Sequence, residues 1–255
     1  MRREELSRHA PEKHLISIVL VLFLILLLSG ACSKNDVPEL VDLFPGYADS
    51  ALVELQFSMD VQREVYKRTI YGEAPQLAIW LENPDRSMIR TVWVSQRAGR
   101  NDWKGKFHCP VALPYWESRH RFEKGRFKER NLLTRLIDAI SGATPTGGLF
   151  TANTRVPEGT QWDYYIEVNV SGDYNAAFPY WSEWGTPDPE GNGQPSLIYK
   201  GSIAARPGSS DVPALIGRTD QFSPVDSFMT DLDGITTAKE ILRDIQVKAL
   251  STYDR

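Results

Sequence analysis

The chain reads as a mainly β protein folded as a β-sandwich. Three observations predict it: apolar and polar residues alternate with period two over several short runs, Gly- and Pro-rich segments break those runs, and helical periodicity is confined to two stretches. The clearest alternation runs from Gln161 to Val170. Trp162, Tyr164, Ile166, Val168 and Val170 share the face turned to the core, and Asp163, Tyr165, Glu167 and Asn169 share the other.

A leader comes first. Residues 15–28 form an uncharged apolar run of 14 residues behind Arg2, Arg3, Arg8 and Lys13, and Ser29, Gly30 and Ala31 lead from it into Cys32. A membrane-spanning helix takes about 20 apolar residues, so the run reads as a secretion signal, with a retained anchor helix as the alternative. Small residues leading into a cysteine resemble a bacterial lipoprotein signal, although Ser29 stands where leucine is usual and Leu28 lies one place back. The resemblance implies cleavage of residues 1–31, diacylglycerol on the Cys32 sulfur, and a periplasm-facing protein anchored to the cell membrane. Ser33 is similar to the outer-membrane sorting pattern. Residues 32–50, with Pro38, Pro45 and Gly46, then serve as lipid anchor and tether, and residues 51–255 as a single sandwich domain.

Losing residues 1–31 removes four Lys/Arg and three Asp/Glu from totals of 29 and 33, leaving 25 basic against 30 acidic residues. That balance argues against a nucleic-acid partner. With Cys32 lipidated, Cys109 has no intrachain partner and reads as a small buried hydrophobe. His108 and His120 are the two histidines left, without a Cys/His cluster at ligand spacing, so no metal site is expected. A Ser-His-Asp triad lacks its Gly-x-Ser-x-Gly elbow.

The strands follow in order. Leu52 to Phe57 alternate, and Pro75–Leu81 and Ser87–Ser95 form a hairpin around the turn residues Asn83-Pro84-Asp85-Arg86. Gln161–Val170 turns at Ser171-Gly172-Asp173, and Ser196–Ala204 is a further strand. A helix near 126–140 carries apolar residues at 132, 133, 136, 137 and 140, with Gly142 as a left-handed cap. Near the C-terminus, Thr237 and Glu240 make a capping-box pattern ahead of Ile241, Leu242 and Ile245, which fits a second helix but leaves helix and strand both open. Ile245, Val247 and Ala249 also alternate as a strand would.

One motif names a chemistry. Asp138 followed by Ser141-Gly142-Ala143-Thr144 resembles the flavin-attachment signature of bacterial FMN-carrying electron-transfer proteins. The resemblance implies that a flavin transferase joins FMN phosphate to Thr144, covalent FMN being the cofactor. Pro145 holds Thr144 extended, and a plain turn into a strand is the alternative. A wider resemblance rests on Ala74–Trp80, Arg90–Val94, Asp138–Thr144 and Gly193–Tyr199. These blocks resemble a family of bacterial periplasmic proteins whose fold is like the immunoglobulin-type domain of flagellar hook-capping proteins. It implies an Ig-like sandwich and a setting near flavin transferases and PepSY-type membrane redox proteins.

Other candidates carry bland alternatives. Asp188-Pro-Glu190-Gly-Asn192-Gly193 echoes half an EF-hand loop, but Tyr199 occupies its twelfth position, so an ordinary polar loop is expected. Phe178, Tyr180, Trp181 and Trp184 form either a stacking platform for a sugar or flavin, or a plug for one end of the sandwich. Arg119 to Arg135 holds seven Lys/Arg against Glu123 and Glu129, a solvated helix face or an anion-facing patch beside Asp138. The function expected is a noncatalytic binding or accessory lipoprotein that docks on an envelope redox protein. The alternatives are a carrier with FMN on Thr144, and a hydrolase using carboxylates such as Asp163, Glu167 or Asp173, where Asp163 and Glu167 share a strand face that a solvent-facing polar stripe explains without catalysis.

Overall fold

In the computed structural model, two β-sheets pack as a sandwich. Residues 50–126, 140–181, 183–223 and 226–252 are described, all within the compact unit Leu40–Arg255. The described residues open with β1 (Leu52–Val61), α1 (Arg63–Tyr66), β2 (Gln76–Glu82), β3 (Ile89–Ser95), α2 (Gln96–Arg100) and α3 (Pro114–Arg126). It continues through β4 (Ser141–Gly142), β5 (Gly148–Pro157), β6 (Gln161–Asn169), β7 (Leu197–Ala204), β8 (Ser210–Asp211) and β9 (Ala214–Arg218). A 3-10 turn (Thr237–Glu240) then leads into β10 (Leu242–Ser251). One sheet has the order β5-β1-β10-β8 and the other β4-β3-β2-β6-β7-β9. β4 runs parallel to β3, whereas the other pairings are antiparallel.

The period-two pattern does what it predicts. Val53, Leu55, Phe57 and Met59 of β1 meet Leu77, Ile79, Tyr164, Ile166 and Val168 of the opposite sheet in one buried cluster. Phe57 sets its edge against Tyr164 across the sandwich at 5.6 Å between centroids. Fully burying a side chain of this kind contributes about 1.5–3 kcal/mol.

The larger sheet is buried on both faces. The stripe read as solvent-facing is covered by residues 109–120, where Cys109, Val111, Leu113, Tyr115 and Trp116 close over Trp80, Val94, Tyr165 and Ile198. Trp80 stacks on Tyr165 at 5.2 Å and 8°. The covering helix is α3, which begins at Pro114, twelve residues before the helix expected at 126–140. Of that expected helix, Arg126 and Ile140 are helical, and 127–139 lie outside the described residues. The signal peptide, Cys32 and Asp138 lie outside them too.

Of the two readings open at the C-terminus, the strand is the one formed. Thr237 does not cap a helix; its hydroxyl donates to Asp173 Oδ1 at 2.7 Å. β10 instead fills the place beside β1, in register from Val53↔Ser251 to Val61↔Leu242. Without it the ten-residue β1 would leave one row of backbone groups unpaired inside the sheet.

A polar bond also crosses the sandwich. Tyr164 Oη donates to Asp211 Oδ2 at 2.9 Å, and the Ser202 N–H donates to the same oxygen at 2.9 Å. Burial, and then Asp211, push the Tyr164 phenol up from its usual range. Gly201 lies against this pair, and a Cβ there would overlap both Tyr164 Oη and Asp211 Oδ2. Gly201→Ala is therefore expected to destabilise the fold by about 2 kcal/mol, as overpacking does. In a double-mutant cycle of urea melts, Tyr164→Phe should relieve part of that penalty by removing the obstructing oxygen. Strict additivity of the two changes would contradict this account.

Candidate functional site

The Ser-Gly-Ala-Thr motif is placed by strand pairing. β4 lies parallel to the end of β3 in the register Val94↔Ser141 and Ser95↔Gly142. Gly142 does not adopt the left-handed cap expected of it. Its lack of a side chain serves a close approach, because a Cβ would come 2.7 Å from Trp93 Nε1. Beyond β4 the chain turns over α1, where Tyr66 Oη donates to the Thr146 carbonyl at 2.6 Å. Thr144 is half-buried on that turn.

Thr144 faces a cleft of about 430 Å³. Its walls come from residues 66–74 after α1, from α2 with the loop to Lys106, and from residues 143–146. Four cations, Lys67, Arg97, Lys104 and Lys106, line it against two carboxylates, Glu73 and Asp102. Arg97 holds Glu73 in an ion pair at 2.7 Å, and the Phe107 N–H donates to the other Glu73 oxygen at 3.4 Å. Lys67 Nζ donates to the Gly72 carbonyl at 2.9 Å and lies 5.3 Å from the centre of the Tyr66 ring. Lys104 and Lys106 are exposed. Sequence reading sought the positive charge near Thr144 in Arg119–Arg135, most of which lies outside the described residues. The structure brings it from residues 67, 97, 104 and 106 instead.

The buried carboxylates are committed to holding the fold. Glu167 is fully buried and accepts from the Trp116 N–H at 2.6 Å, the Tyr115 N–H at 3.3 Å and Ser196 Oγ at 2.6 Å. Those amides open α3 just after Pro114, so a strand residue distant in sequence supplies the cap that no neighbour provides. Asp163, on the same strand face, pairs with Lys200 at 2.9 Å. Asp173 accepts from Gln194 Nε2 at 2.6 Å and from Thr237, tying three loops together; burial raises its pKa. The hydrolase reading thus finds its three carboxylates apart and engaged.

The loop at Asp188 is likewise closed on itself. The Asp188 carboxylate accepts from the backbone N–H groups of Glu190, Asn192 and Gly193 at 2.9–3.1 Å, which uses the oxygens a calcium ion would need. Among the described residues, no three His, Cys, Asp or Glu side chains gather as a metal site would require. Cys109 is buried, as a small hydrophobe would be, and burial pushes its thiol up to about 12.

The aromatic segment divides. Phe178 joins the core at 8% exposure beneath the Arg218 guanidinium, whereas Trp181 and Trp184 are 58% and 88% exposed. Tyr180 and Trp181 meet at 90°, so they form no flat stacking surface. A bridge between Trp181 and Pro187, and the Asp188 N–H donating to the Tyr180 carbonyl at 2.7 Å, bring residues 180–181 alongside 187–188 as in a small hairpin.

Glu167 generates a pH prediction. Burial raises its carboxyl from 4.5 to about 7. Between those values the unfolded chain has released a proton that the folded chain keeps, so stability falls as pH rises through the window and levels off above it. Glu167→Gln is expected to remove that slope, worth about 3 kcal/mol across the window. Urea melts of both proteins across this pH range check it, and parallel profiles would contradict it.

Set beside known proteins, the chain matches no family model, no curated protein and no solved structure.

Proposed function

We propose that this chain is a noncatalytic binding module, lipid-anchored at Cys32 to the cell membrane and facing the periplasm, with the outer membrane as its destination. It docks through the hairpin at 180–188 on an envelope redox protein. The observation that carries this reading is the exposure of Trp181 and Trp184 on one short, hydrogen-bonded hairpin. Large aromatics are anchors of protein interfaces, where each brings area at small entropic cost. Exposed Glu183 sits between them, so the complementary surface is an apolar pocket with a basic rim. The engagement of Glu167, Asp163 and Asp173 in structural bonds supports a noncatalytic role. The Ig-like character of the sandwich and the setting near PepSY-type proteins belong to this reading through the resemblance of the sequence blocks. Among the described residues, no helix is long and apolar enough to cross a membrane.

A photo-crosslinking side chain at position 184 in the intact envelope tests it. A discrete crosslink to a flavin-containing membrane protein is expected, and Trp181→Ala/Trp184→Ala should weaken that complex at least tenfold, about 1.4 kcal/mol. Diffuse labelling of lipid or of many proteins would sink the docking reading.

A second reading is favoured by one observation: Thr144 itself lines the cationic cleft. In that reading the chain is an electron carrier with FMN phosphate esterified to Thr144, loaded by a flavin transferase. Arg97 and the lysines would offset the phosphate charge. Intact mass of the full chain coexpressed with a transferase should rise by FMN minus water, and Thr144→Ala should abolish the gain. An unchanged mass, with the transferase active on a known acceptor, would remove this reading and leave the docking module standing.

A further inference from the structure

We infer that the cleft beside Thr144 is a noncovalent binding site for a small phosphate monoester of about mononucleotide size. The inference needs neither the docking hairpin nor a covalent bond to Thr144. It rests on how charge is distributed and left over in one concave place.

The chain is acidic, with a formal charge of −4, yet the cleft gathers four cations against two carboxylates. Within it, Glu73 is already satisfied by Arg97 and by the Phe107 amide. Lys67 spends one of its donors on the Gly72 carbonyl and keeps two. Lys104 and Lys106 are exposed and, among the described residues, meet no carboxylate. Asp102 is the nearest acid in sequence, and it accepts from the Lys104 backbone N–H at 3.3 Å. Among the described residues, a surplus of two positive charges therefore lines the cleft.

The shape gives the size of the ligand. About 430 Å³ is within the range of small-molecule sites, and larger than a bare inorganic anion would fill. Thr144 and Thr146 belong to one wall, and Tyr66 to another. A phosphate monoester carries close to two negative charges near neutral pH and three strong acceptor oxygens, which matches the surplus and the donors. Lysine suits this role as a point charge on a flexible stem. A divalent cation is disfavoured by the same surplus, and among the described residues no acidic cluster could hold one.

Calorimetric titration of the full-length chain in detergent, without any transferase, tests the inference. The probes are inorganic phosphate, AMP and FMN, set against adenosine and riboflavin. AMP and FMN are expected to bind at least tenfold more tightly than their unphosphorylated counterparts, and binding should weaken as salt rises. Lys104→Gln/Lys106→Gln should lower the affinity for both monoesters at least tenfold with the thermal midpoint unchanged, whereas Lys248→Gln on β10 should leave it as it was. Equal binding of riboflavin and FMN, an unaffected double variant, or no binding of either monoester would overturn it. Lysine-dependent sedimentation with phosphatidylglycerol vesicles in the absence of monoester binding would also overturn it, reassigning the charge to lipid headgroups. Because the titration involves no covalent step, its failure is distinguishable from an absent mass gain at Thr144 and from a lost crosslink at the hairpin.

Discussion

Burying a carboxyl group with no cation against it is costly, and among the described residues none pairs with Glu167 in the middle of the larger sheet. What makes the arrangement tenable is the end of a helix. α3 starts at Pro114 with amide groups that have no intrahelical acceptor, and Glu167 receives two of them together with the Ser196 hydroxyl. Each side resolves the other's unsatisfied groups, and the result fixes where residues 109–120 lie. From that placement follow the second apolar cluster over Trp80 and Tyr165, and the burial of the sheet on both faces. Ser196 also shares a 2.7 Å hydrogen bond with Thr219, so the chain leaving β9 is tied to the same point.

Much of the sandwich was legible because β1, β2, β6 and β7 are strands whose inner faces read out as alternating apolar residues. α3 was not. Its segment, Pro114 to Arg126, is polar, and the buried positions Tyr115, Trp116 and His120 carry too little period to announce a helix. The partner that starts it lies about fifty residues away, beyond the reach of local capping rules. At the C-terminus the local signals pointed both ways. Thr237 and Glu240 imitate a capping box, but the Thr237 hydroxyl is recruited by Asp173, and the demand of β1 for a neighbour outweighs local propensity.

The cleft shows a different limit. The Ser141–Thr144 motif could be found by inspection, whereas Lys104 and Lys106 were not singled out by any pattern in the sequence. The convergence of Lys67, Arg97 and those lysines on Thr144 depends on three segments whose only common reference is the sheet. β3 carries α2, and hence Arg97, at its end, while β4 pairs beside that same end. The Gly142 contact with Trp93 sets how closely β4 approaches. A motif read as a cofactor site from its own residues thus acquires its electrostatics from elsewhere in the chain.

Between the cleft and the hairpin runs a line of aromatic rings. Phe107, next to Lys106, stacks on Tyr71 at 4.0 Å; Tyr71 Oη lies 3.5 Å from Tyr174 Oη; Tyr174 packs edge-on against Tyr180, and Tyr180 against Trp181, at 5.1 Å each. The residues of this line come from loops rather than strands, and loops are where a sandwich has least backbone pairing to hold them in place. Ring packing and the closed hydrogen bonding of Asp188 supply that restraint here. The two surfaces therefore share one set of supports: a change that loosens Tyr71 or Tyr174 disturbs the wall of the cleft and the base of the hairpin together. By contrast, Lys104 and Lys106 are exposed and take no part in this line of ring contacts, so the charge of the cleft and the packing that holds its wall rest on different residues.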